Sequence, residues 1–166
     1  MQNKLVIFDL DGVLIDSREL HYDALNDALA KIGQEFVITR EEHLSTYDGL
    51  NTTRKLEMLS ERKGLDRKYF NQIWEDKQTA TFDLLRKLPK NHTARYLISQ
   101  LKMKGWKIAV ASNSIRETVR IALDTIGILG EIDFIVSNQD VRFAKPFPEM
   151  YWRCMIGLNA FDKTIE

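Results

Sequence analysis

The stretch Phe8-Asp9-Leu10-Asp11-Gly12-Val13-Leu14-Ile15-Asp16-Ser17 decides how this chain is read. Asp9 and Asp11 alternate with Leu10 where the apolar run that starts at Lys4 gives out, and Gly12 follows at once. A short apolar run stopped by a glycine turn reads as a buried strand, here over residues 4–10. In an open α/β sheet, ligands bind outside the carboxyl ends of the strands, which is where these two carboxylates fall. An Asp-x-Asp-Gly run is also ordinary turn chemistry at a strand end.

Downstream of Ser17 the periodicity is helical. Asp16 and Glu19 have the spacing of a capping box. Leu25, Ala28, Leu29 and Ile32 follow at helical spacing, and Gly33 is a natural stop. Thr39 and Glu42 form a second box. Residues 54–63 read as a helix around Leu56 and Leu59, closed by Gly64. Asp66 opens a longer helical stretch through Phe70, Ile73, Trp74, Leu84, Leu85 and Leu88, which Pro89 ends. No strand pattern occurs between Asp16 and Leu88.

After Pro89 the pattern changes. A helix over 93–104 closes at Gly105. A strand over 107–111 ends in Ser112-Asn113-Ser114. A helix over 117–126 closes at Gly127, and a third strand covers 134–137. Lys145-Pro146-Phe147-Pro148 then precedes a helix over 149–156. Alternating strands and helices predict an α/β fold with a parallel sheet. The predicted core is discontinuous, residues 1–15 and 89–166, with an all-helical insert over 16–88.

The bulk numbers narrow the function classes. With 166 residues the chain is long enough for one real core. Lys plus Arg and Asp plus Glu both number 24, which gives no electrostatic case for nucleic acid or an anionic membrane. Cys154 is the single cysteine, so no intrachain disulfide forms, and a reducing cytoplasm is the expected setting. The apolar run 5–8 meets Asp9 directly, which speaks against a signal peptide. No run has the length of a membrane span.

Three strand ends carry chemistry. A carboxylate such as Asp9 can attack phosphorus and split one displacement into two. A second acid, Asp11, can protonate the leaving oxygen and then activate water. Two anions beside a phosphate call for a cation, and Mg²⁺ binds through carboxylates, phosphate oxygens and water. Ser112 brings a hydroxyl to the same sheet edge, suited to a phosphate oxygen; Ser112 or Ser114 also suits an N-cap for the next helix. Lys145 suits a phosphate as a point charge and equally suits the surface.

The three segments together resemble the haloacid dehalogenase superfamily of hydrolases, in the subgroup with a helical cap after the first strand. Asp9-Leu10-Asp11-Gly12-Val13-Leu14-Ile15-Asp16-Ser17 is similar to that family's first motif. Val110-Ala111-Ser112-Asn113-Ser114 resembles its second, and Lys145-Pro146-Phe147-Pro148-Glu149 its third. The resemblance implies a Rossmann-like core. It implies Asp9 as nucleophile and metal ligand, and Asp11 as general acid/base and a further Mg²⁺ ligand through its backbone carbonyl. Ser112 and Lys145 would hold the phosphoryl group, with the Asn113 backbone nearby. An acid at Asp11 favours phosphate chemistry over carbon–halogen cleavage.

The resemblance also implies that the insert closes over the site and selects substrate. His21 resembles a histidine that β-phosphoglucomutase-like members carry; it also reads as a plain polar helix residue. Asp48-Gly49-Leu50-Asn51-Thr52-Thr53-Arg54 looks like the family's cap loop, with Gly49 turning and Asn51, Thr52 or Arg54 touching substrate. Mutase-like members carry an arginine soon after this glycine; here Thr52 stands near that position and Arg54 is displaced.

The family's fourth motif, an acidic pair on a further strand beside the first, has no counterpart before Glu166. Thr164-Ile165 looks like the start of that strand, with Glu166 in or before it. The core is therefore expected to be incomplete at its C-terminal side, with fewer metal ligands and an open first strand. Weak stability as a monomer, or a homodimer through that strand, is the expected consequence. The expected activity is a Mg²⁺-dependent phosphomonoesterase acting on a small phosphorylated metabolite. A sugar phosphomutase and a non-catalytic phosphate- or partner-binding module are the alternatives.

Overall fold

The structure is a computed structural model that describes residues 4–47 and 50–160. The chain divides into two compact units, Met1–Ser17 with Leu85–Glu166, and Arg18–Leu84. Asp48, Gly49 and the segment holding Thr164, Ile165 and Glu166 lie outside the described residues.

The first unit is built on a three-stranded parallel sheet in the order β1 (Leu5–Phe8), β2 (Lys107–Ala111), β3 (Phe134–Val136). Leu5 pairs with Lys107 and Ile7 with Ala109, while Ala109 pairs with Phe134 and Ala111 with Val136. Because side chains alternate along a strand, those aligned rows put Leu5, Ile7, Ala109, Ala111, Phe134 and Val136 on one face. That face packs with Met150 and Cys154 of helix α7 (Glu149–Gly157), both fully buried. Burial pushes the Cys154 thiol up to about 11, so it stays protonated at neutral pH and serves as a small core residue. Gly157 lets the helix end sit against the sheet: a Cβ there would lie 2.7 Å from the Phe134 ring.

Between the strands run α5 (His92–Met103) and α6 (Arg116–Thr125). Asn91 caps α5 by accepting from the Ala94 N–H at 2.9 Å, and its amide donates to the Leu14 carbonyl at 2.9 Å. One side chain thereby starts a helix and ties down the loop that follows β1.

The second unit is helical, as the missing strand pattern predicted. It holds α1 (Arg18–Ala30), the short α2 (Arg40–Glu42), α3 (Thr52–Lys63) and α4 (Phe70–Leu85), whose last residue falls at the division. Its core joins Leu25, Leu29, Ile38, Tyr47, Leu56, Leu59, Leu65 and Ile73. Each fully buried Leu or Ile of this kind contributes about 2 kcal/mol relative to exposure. No helix among the described residues is long and apolar enough to cross a membrane.

The Thr39–Glu42 capping box is present, and Gly64 ends α3 with φ 71°. The other proposed box is out of frame: α1 starts at Arg18, so the flanking position falls to Ser17 rather than Asp16, and the Glu19 carboxylate pairs with Arg40. The long stretch from Asp66 is two pieces, a 3-10 turn over Arg67–Tyr69 capped by Asp66 and then α4.

Candidate active site

β1 ends at Phe8, not at Leu10, so Asp9 is the first residue beyond the strand. Gly12 adopts φ 77°, a left-handed conformation that glycine takes without a Cβ penalty. The turn it permits brings the Leu14 and Ile15 N–H groups onto the Leu10 carbonyl at 2.9 and 3.1 Å. Leu10, Leu14 and Ile15 are buried under this turn, which leaves Asp9 and Asp11 facing the sheet end.

Lys145 reaches that end from the loop after β3. Its Nζ donates to Asp9 Oδ1 at 2.6 Å and to the Ala111 carbonyl at 3.1 Å. The lysine side chain is 15% exposed and the aspartate 42%, so the pair stays open on the carboxylate side. Asp9 Oδ1 also accepts the Leu10 N–H at 2.8 Å. Both contacts fall on the same oxygen, so neither of them engages Oδ2. An ammonium has three donors, so these two bonds leave one N–H of Lys145 for a further acceptor.

The segment after β2 serves the second acid. The Ser112 hydroxyl donates to Asp11 Oδ2 at 3.4 Å and the Ser114 hydroxyl donates to the same oxygen at 3.3 Å. The Ser114 N–H in turn donates to Ser112 Oγ at 3.0 Å. Ser112 is fully buried. Neither serine caps the next helix: Ile115 holds the N-cap position of α6 with no side-chain bond. The capping alternative for these serines is thus corrected, because Asp11 takes their hydroxyls. The Asn113 side chain reaches the lysine loop. Its amide donates to the Lys145 carbonyl at 3.1 Å and its Oδ1 accepts the Lys145 N–H at 3.0 Å.

Three residues that sequence reasoning left without a role also hold the lysine loop. Ser137, fully buried at the end of β3, donates its hydroxyl to Asp140 Oδ2 at 2.6 Å and its N–H at 2.8 Å. Burial acts to raise the Asp140 carboxyl, but the Ser137 bonds and the Arg116 guanidinium outweigh it and hold the group below the ordinary range. Glu149 reaches back from α7 to the Phe143 N–H at 2.8 Å and the Arg142 N–H at 3.1 Å, which hold its carboxyl below the ordinary range. The Ser-x-x-Asp spacing of 137–140 was a readable signal for the first of these anchors.

A profile of the haloacid dehalogenase-like hydrolases matches residues 6–164, from within β1 past the end of α7. The chain belongs to the haloacid dehalogenase-like hydrolase family. The pyrophosphatase PpaX of Bacillus velezensis is 27% identical over 158 residues, covering 87% of this chain and 63% of that protein. A phosphoglycolate phosphatase of Aquifex aeolicus is 28% identical over 147 residues, covering 87% of this chain and 65% of that one. The chain thus spans less than two thirds of the length of these two relatives. Among solved structures, CbbY from Rhodobacter sphaeroides in complex with phosphate superposes with a TM-score of 0.81 at 22% identity, over 95% of this chain and 73% of that chain. The α/β, Rossmann-like reading of the haloacid dehalogenase-like core therefore stands.

The residues expected to select substrate in this family member lie in the second unit. His21 is half-buried on α1. Asn51 and Thr52 belong to the start of α3, two residues earlier than periodicity placed it. The Asn51 side chain accepts the Arg54 N–H at 2.9 Å as the N-cap, and the Arg54 guanidinium pairs with Glu57 at 3.0 Å. Gly49 lies outside the described residues. Asn51→Ala is expected to lower the stability of this unit by about 1 kcal/mol, the usual worth of an N-cap; urea unfolding checks it, and an unchanged midpoint would contradict the capping role.

The sheet end offers oxygen donors of the kind Mg²⁺ takes. Among the described residues no three His, Cys, Asp or Glu side chains cluster as a metal cage. Mg²⁺ does not need one: one or two carboxylates with phosphate oxygens and waters suffice, and the Asp9 carboxylate and the Asp11 backbone carbonyl are hard oxygen donors suited to it. The residues present fit the ion.

Proposed function

We propose that this chain is a Mg²⁺-dependent phosphomonoesterase that acts on a small phosphorylated metabolite through an aspartyl-phosphate. The observation that carries the reading is the 2.6 Å pair of Lys145 Nζ with Asp9 Oδ1. It supports the reading because an ammonium and a carboxylate meet at the carboxyl end of a parallel sheet, with Asp11 on the serine hydroxyls alongside. The phosphatase names of the relatives support the same class of chemistry.

In this mechanism Asp9 Oδ2 attacks phosphorus, the ester P–O bond breaks, and Asp11 gives its proton to the departing alkoxide. Asp11 then takes a proton from the water that attacks the aspartyl-phosphate, which restores the Asp9 carboxylate and releases inorganic phosphate. Lys145 stabilises charge on the transferring group throughout. Ser112 and the Asn113 segment bound the phosphoryl pocket. Asp9 and Asp11 would hold Mg²⁺, which when bound offsets the negative charge of nucleophile and phosphate. Substrate choice is assigned to the helical insert, to His21, Gly49, Asn51, Thr52 and Arg54. The test is phosphate release from a panel of small phosphomonoesters, with Mg²⁺ and with chelator. Release that chelator abolishes is expected; no release from any ester would contradict the reading. A cytoplasmic setting belongs to the same proposal.

A second copy is the proposed partner at β1. The Lys107 N–H donates to the Lys4 carbonyl, so alternation turns the Leu5 and Ile7 main-chain groups away from β2. Among the described residues no strand pairs with them. No charge or proline guards the edge within Leu5–Phe8, and the chain's balanced charge sets up little repulsion between copies. Light scattering across concentration is expected to show a dimer; a monomer throughout would contradict it.

A further inference from the structure

We infer that the Asn113 carboxamide is the positioning residue for Lys145. The assignment rests on the phosphatase reading of the same site. Asn113 donates to the Lys145 carbonyl at 3.1 Å and accepts the Lys145 N–H at 3.0 Å, so one planar amide takes both main-chain groups of a single residue. This is the contact a neighbouring strand would make, supplied by a side chain where the sheet has ended.

The consequence lies at the other end of the lysine. With its backbone fixed on Asn113, the side chain returns to Ala111 O at 3.1 Å and Asp9 Oδ1 at 2.6 Å. Backbone and ammonium are thus both referenced to the end of β2, the segment that also aims Ser112 and Ser114 at Asp11. The loop's other anchors lie outside this residue: Ser137 with Asp140 before it, and Glu149 on Arg142 and Phe143. Asn113 alone among these bonds grips Lys145 itself. Its side chain is exposed, where hydrogen bonds compete with water and add little to global stability. What it supplies is the placement of a cation. A displacement of about 1 Å is enough to cost a reaction heavily.

The test combines kinetics with an observable that does not need turnover. Asn113→Ala removes both bonds. Asn113→Asp keeps the acceptor for the Lys145 N–H and puts a carboxylate oxygen against the carbonyl. For p-nitrophenyl phosphate, kcat is expected to fall about tenfold in Asn113→Ala, with Asn113→Asp intermediate. In a Lys145→Ala background the same Asn113→Ala change is expected to cost less than about twofold, since residues acting as one unit are not additive. Hydrogen exchange of the Lys145 amide, read by NMR, is expected to quicken about tenfold in Asn113→Ala, with the melting temperature nearly unchanged.

The outcomes separate. Wild-type turnover with unchanged kcat in Asn113→Ala overturns the assignment and leaves the phosphatase reading standing. So does an unchanged Lys145 exchange rate, or a loss that simply adds to that of Lys145→Ala and tracks a lower melting temperature. If the wild-type chain binds inorganic phosphate without turnover, phosphate affinity replaces kcat, with the same tenfold loss expected. A wild-type chain that neither turns over nor binds phosphate overturns the phosphatase reading and this assignment together.

Discussion

Asp9→Asn is expected to reduce phosphomonoester turnover by about 10⁴-fold, the scale on which enzymes lose activity when the nucleophile is removed. The substitution keeps size and shape and retains an oxygen for the Leu10 N–H that now meets Oδ1 at 2.8 Å. It removes the negative charge that pairs with Lys145 and that, in the proposed mechanism, attacks phosphorus. The loss should therefore fall on kcat, with the fold intact by circular dichroism. Acid quench during turnover, followed by mass spectrometry, should show a phosphoryl adduct on the peptide containing Asp9 in the wild type and none in Asp9→Asn. An adduct on a different residue would move the nucleophile elsewhere.

Lys145→Ala is the second large effect, expected at about 10²- to 10³-fold in kcat, the usual consequence of deleting one donor to a developing negative charge. Two things are lost together. The ammonium no longer meets the transferring group, and Asp9 loses the partner that holds one oxygen and leaves Oδ2 turned to substrate. Lys145→Arg should not rescue, because a planar fork does not reproduce a point charge at 2.6 Å from Asp9 and 3.1 Å from the Ala111 carbonyl. Steady-state kinetics of the two variants check this. Full activity in Lys145→Arg would show that charge alone matters and position does not.

The acids, Ser112 and Lys145 were legible because each stands where an apolar run ends or a proline begins, and strand ends fix what faces a ligand. The α/β alternation and the helical insert were legible for the same periodic reasons. The partners of Asn113 and Ser114 were not. They lie in segments 32 and 103 residues away, brought near by the pairing of β2 with β3 and of β1 with β2 respectively. Ser114 read equally well as a cap, since nothing local says that Ile115 will take that position with no side-chain bond. The N-cap role of Asn51 was not legible either, because periodicity starts the helix at Arg54 rather than at Thr52. The use of Gly157, close approach to Phe134, depends on packing that periodicity does not carry.

The most direct measurement of the central claim is hydrolysis of p-nitrophenyl phosphate by this chain beside its Asp9→Asn variant, each with and without Mg²⁺. The account predicts hydrolysis only by the wild type and only with Mg²⁺. Equal rates from both proteins, or a wild-type rate indifferent to the ion, would contradict it.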